Sequence, residues 1–146
     1  MTLTFLIIVL AVAILLFAVI TVRTPAKSVK KRGRAGQVGH VDRALVASRW
    51  QTITELAKGN GNDIRHAVME ADKLLDYVMK QQGYAGQTMA DRLKIAQKNL
   101  KNRNAVWEAH KLRNVLVHEV GFDLVPTQAR EALQGFEGGL KDLEAL

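Results

Sequence analysis

The sequence predicts an all-α protein: a single N-terminal transmembrane helix followed by an antiparallel bundle of four to five helices. Three observations predict it. An uncharged apolar run of membrane length opens the chain, apolar residues recur at helical spacing through the remainder, and strand-like alternation is not visible anywhere. Glycine, asparagine and proline cut the helical pattern into four long segments and one short one.

The run Leu3 to Val22, LTFLIIVLAVAILLFAVITV, holds no charged residue. Twenty residues at a rise of about 1.5 Å each reach about 30 Å, the thickness of a hydrocarbon core. A cleaved signal peptide is the competing reading, but no basic residue precedes the run, and the cleavage-like triplet Ala11-Val12-Ala13 lies in its middle. Residues 1–22 are therefore expected to stay as an anchor.

Charge is divided unevenly. The chain has 146 residues, 21 basic and 14 acidic, a net charge of +7. Residues 1–34 hold six cations, Arg23, Lys27, Lys30, Lys31, Arg32 and Arg34, and no acid; the remaining residues hold 15 cations and 14 acids, a net +1. A uniformly basic nucleic-acid-binding domain does not fit that balance. The cations immediately after the apolar run mark the cytoplasmic side, which predicts a single-pass protein of the plasma (inner) membrane with its N-terminus outside and its C-terminal domain in the cytoplasm. They also suit anionic lipid headgroups, so the bilayer is the first expected partner. Pro25, Gly33, Gly36 and Gly39 make residues 23–39 a basic, flexible tether. The absence of cysteine excludes disulfide scaffolds, thiolate zinc sites and cysteine nucleophiles.

Residues 40–146 suffice for one helical domain. Val46, Trp50, Ile53 and Ala57 define a first helix over about Val41 to Lys58, ended by the turn Lys58-Gly59-Asn60-Gly61-Asn62. Asn62 or Asp63 is placed to cap the second, whose apolar line Ile64, Val68, Ala71, Leu75 and Val78 runs to Gly83. Thr88 with Asp91 has capping-box spacing and opens a short helix through Leu93 and Leu100. A fourth helix starts at Asn102 or Asn104, carries Val106, Trp107, Leu112 and Leu116, and breaks at Gly121; Pro126 and Thr127 begin the last, with Ala129, Leu133, Phe136, Leu140 and Leu143. Gly135, Gly138 and Gly139 in that last helix mark a kink or a close helix contact. Trp50 and Trp107 sit on apolar stripes as core anchors.

Chemistry concentrates in Trp107 to Val120, WEAHKLRNVLVHEV. His110, Asn114 and His118 share one stripe of the helix, while Arg113 lies about 140° from His118 around the axis. His110 and His118 are about 12 Å apart along the axis, too far to chelate one ion, and the HExxH pattern is absent, so neither a metal nor another cofactor is expected. The run Arg113-Asn114-Val115-Leu116-Val117-His118 resembles the motif of the HEPN domains, small all-helical bundles in which an Arg and a His are separated by four to six residues and a polar residue follows the Arg. The resemblance covers about Val41 to Leu146. It implies a metal-independent endoribonuclease at a homodimer interface, in which His118 acts on the ribose hydroxyl, Arg113 holds the phosphate and Asn114 orients it, with RNA as substrate. The same residues also read structurally: His110 and His118 as interior histidines bonded to backbone or to Asn114, and Arg113 paired with an acid such as Glu108 or Asp123. Three functions follow as expectations: a membrane-anchored binding or regulatory module of HEPN-like type, the ribonuclease, or a structural partner of another membrane protein.

Overall fold

The computed structural model describes residues 39–146. The expected anchor, and the tether up to residue 38, lie outside the described residues. Among the described residues there are five α-helices and no strand, and no helix is long and apolar enough to cross a membrane.

Each helix is opened by a local signal. Asp42 caps α1 (Arg43–Leu56), its carboxylate accepting the N–H of Leu45. α2 (Gly61–Gln81) is capped by Asn60, not by Asn62 or Asp63 as the sequence suggested. The Asn60 side chain accepts from both of those N–H groups, and the carboxylate of Asp63, the third residue of the helix, accepts in turn from the Asn60 N–H. Thr88 and Asp91 make the same reciprocal pair at α3 (Met89–Ala96), which tightens into a 3₁₀ turn, Gln97–Asn99. Asn102 caps α4 (Arg103–His118), and Pro126 is the first residue of α5 (Pro126–Asp142), where its missing N–H costs no helical bond.

α2 is the central element. Its residues Val68, Ala71, Leu74, Leu75, Val78 and Met79 are all buried, and it packs against α1, α3, α4 and α5. Val46 of α1, Leu93 of α3, Val106 of α4, and Phe136 and Leu140 of α5 are fully buried against it. Successive long helices run antiparallel: Arg49 of α1 lies over the Tyr77 ring of α2, Arg65 near the start of α2 reaches Leu116 near the end of α4, and Ala105 of α4 meets Gly135 of α5. Trp50 and Trp107 are partly buried against the core.

The α5 glycines do different things. A Cβ on Gly135 would come within 2.7 Å of the Ala105 carbonyl oxygen, and one on Gly139 would come within 3.2 Å of Val106, so both permit close approach of α4 and α5. Gly138 meets no atom within 4 Å, and α5 continues through all three.

One end of the bundle gathers several chain segments. Gly39, His40 and Val41 border a cavity with Gln82, Leu143 and Glu144; Gln82 donates to the Leu143 carbonyl, Asn99 to the Tyr84 hydroxyl, and the Lys101 N–H to Asp142. The start of the described chain, the C-termini of α2 and α5 and the α3–α4 connection therefore lie together.

Candidate functional site

The polar residues of α4 meet one acid of α2. Asp72 is buried in the middle of α2 with Ala71 and Leu75 as core neighbours, and its carboxylate lies 2.7 Å from His110 Nδ1. The other side of that imidazole faces Asn114, with Nδ2 3.3 Å from His110 Nε2. Asn114 Oδ1 accepts from an Arg113 guanidinium nitrogen at 3.0 Å, and Arg113 Nε lies 3.4 Å from the second Asp72 oxygen. Four side chains thus close a ring, Asp72–His110–Asn114–Arg113, across the α2–α4 seam.

The donor and acceptor roles around this ring are consistent in one arrangement. Ionised Asp72 only accepts, so His110 Nδ1 carries the proton that it donates; His110 Nε2 is then the acceptor for the Asn114 amide, whose oxygen accepts from Arg113. Asp72 and Arg113 balance in charge. The Trp107 and His110 rings meet in an edge arrangement, centroids 6.2 Å apart, and the imidazole is buried. The Arg113 Nε hydrogen is the weak point: it is buried, and its ion pair with Asp72 lacks hydrogen-bond alignment.

Of the residues selected from the sequence, Arg113 and Asn114 are brought together, and with His110 rather than with His118. His118 is the last residue of α4, exposed, and its side chain makes no hydrogen bond among the described residues. Arg113 pairs with Asp72, not with Glu108, which binds Lys111, nor with Asp123. The cations Arg23, Lys27, Lys30, Lys31, Arg32 and Arg34 lie outside the described residues. No group of three or more His, Asp or Glu side chains is placed to hold a metal ion among the described residues.

Two further polar junctions were not singled out in the sequence. Arg65 donates to the Leu116 carbonyl and to the Phe122 carbonyl, satisfying an end-of-helix acceptor of α4 and pinning the following loop to α2. Buried Arg92 donates to Asp76 at 2.6 Å and to the Gly86 carbonyl at 2.6 Å, and Lys80 lies 2.6 Å from the other Asp76 oxygen. Burial on its own would raise the Asp76 carboxyl, but the hydrogen bonds and charges of Arg92 and Lys80 outweigh it and hold the group below its ordinary value. The sequence does contain a signal: Arg65, Asp72 and Asp76 follow one another on α2 at intervals of seven and four residues, interleaved with its apolar line. Charges on a core-facing edge require partners.

A groove of about 570 Å³ opens between α4 and α5, lined by Leu112, Val115, Phe122 and Ala132 and edged by Glu108 and Glu131. It lies apart from the ring, none of whose members lines it. No protein-family model, curated protein or solved structure matches the chain.

Proposed function

We propose that the chain is a membrane-anchored cytoplasmic helical module of HEPN-like type that binds or regulates a partner rather than cleaving RNA. One observation carries this reading: Arg113 and Asn114 are engaged by Asp72 and His110 inside the α2–α4 seam, while His118 stands outside on the last turn of α4. A guanidinium that must hold a phosphate needs its fork directed at substrate, and here part of that fork is directed inward. The α4–α5 groove supplies a concave, partly apolar surface of the kind that receives a partner's side chains. The apolar run Leu3 to Val22 and the cations that follow it support the anchor and its orientation.

The ribonuclease remains a defined alternative because Arg113 retains partial exposure and an Nε hydrogen without a hydrogen bond. The deciding experiment incubates full-length protein with single-stranded RNA in EDTA, beside His118→Ala and Arg113→Lys. Equal background cleavage in all three is expected. Cleavage by the parent protein that both substitutions abolish, with folding retained, establishes the ribonuclease instead. The anchor is tested separately: protein that alkaline carbonate releases from membranes, or a globular domain digested by protease added outside intact cells, overturns it.

A further inference from the structure

Residues 94–103, KIAQKNLKNR, contain four cations and no acid, whereas the other residues of 35–146 hold 11 cations against 14 acids. The segment spans the end of α3, the 3₁₀ turn and the first residue of α4. Leu93, Ala96 and Leu100 turn inward, and Lys94, Ile95, Lys98, Lys101 and Arg103 are exposed. Lys94, Lys98 and Arg103 take part in no ion pair among the described residues, and Lys101 reaches Asp142 only at 3.8 Å. The acids nearby are engaged: Asp91 in the α3 cap, Asp42 in the α1 cap, Asp142 on the Lys101 N–H, and Glu144 opposite Arg43.

The position of this segment matters as much as its charge. The 3₁₀ turn and the start of α4 belong to the end of the bundle at which Gly39 and His40 begin the described chain. In a chain anchored by Leu3 to Val22 and tethered through residues 23–39, that end is the one from which the tether leaves.

We infer that the exposed surface of Lys94, Ile95, Lys98 and Arg103 rests on anionic lipid headgroups, orienting the bundle on the bilayer. The inference rests on the anchor reading above. Lipid is favoured over RNA by composition: an exposed aliphatic residue between cations suits the headgroup boundary, and the segment has no aromatic ring on which a base would stack. The tether's six cations have the same sign and the same preferred surface.

The test reconstitutes the full chain in nanodiscs of phosphatidylcholine alone and of phosphatidylcholine with phosphatidylglycerol, and follows amide hydrogen exchange. Exchange over residues 97–103 is expected to slow roughly threefold or more in the anionic discs, to return toward the neutral-lipid rate in high salt, and to be insensitive to lipid charge in a Lys94→Gln/Lys98→Gln/Arg103→Gln variant. Exchange in the α2 core reports that the variant is folded. Stable insertion with equal exchange over residues 97–103 in both lipids overturns the lipid contact and leaves the anchor intact. Failure to insert overturns the anchor and the contact with it. Stronger slowing by added single-stranded RNA than by phosphatidylglycerol overturns lipid in favour of nucleic acid.

Discussion

Asp72 joins α2 to α4 through two different partners, and its removal leaves His110 Nδ1 without its acceptor and Arg113 without its counter-charge. Asp72→Ala is expected to destabilise the bundle by about 3 kcal/mol, the usual consequence of deleting one member of a buried charged pair. The near-ultraviolet signal of Trp107, which packs on His110, reports the loss during thermal unfolding. His118→Ala, on an exposed side chain without hydrogen bonds, is expected to change stability by less than about 0.5 kcal/mol in the same measurement. A comparable loss from both substitutions contradicts the assignment of His110 to the seam and His118 to the surface. Spacing along α4 placed His110, Asn114 and His118 on one stripe, and only the first two are joined. The stripe continues to the helix end, but the covering α2 contributes its acid at Asp72, level with His110; toward the end of α4 it offers Arg65, which takes backbone carbonyls. Which acid would answer Arg113 depended on the pairing of α2 with α4, a long-range relation that helical periodicity in one segment does not encode.

Among the elements, caps and stops were the most legible features because they are local: Thr88 with Asp91, Asn102 and Pro126 each act within one turn. The α2 cap lies two or three residues before the Asn62 or Asp63 that the sequence suggests, because Asn60, Asn62 and Asp63 are all capping residues, and only the extended backbone at Asn60 selects among them. The structure sorts the α5 glycines where their spacing cannot, since the neighbour of each depends on how α4 crosses. That sorting gives a paired expectation. Gly135→Ala drives a methyl against the Ala105 carbonyl and is expected to cost about 1–3 kcal/mol, whereas Gly138→Ala, with open space around it, is expected to stabilise by about 0.5–1 kcal/mol through helix propensity. Chemical denaturation of the two variants beside the parent checks the opposite signs; matching signs refute the close α4–α5 crossing.

For the whole molecule, acid stability follows from the Asp76 junction. Its carboxyl is held below the ordinary value of 3.8 in the folded protein, so the junction contributes stability that is complete above that value and is lost as pH falls through the lower folded value. Arg92→Met removes the donor and is expected to lower stability at neutral pH while flattening the dependence of melting temperature on pH below about pH 4; an unchanged slope there assigns the acid transition to other groups. The all-α architecture was legible from composition and period alone, whereas the direction of each helix relative to its non-sequential neighbours was not. The gathering of residues 39–41 with residues 143–144 at one pole also has a topological corollary. A short glycine–serine linker can join Leu146 to Gly39, and new termini opened in the exposed stretch Glu119 to Gly121 would yield a circularly permuted domain with the same core.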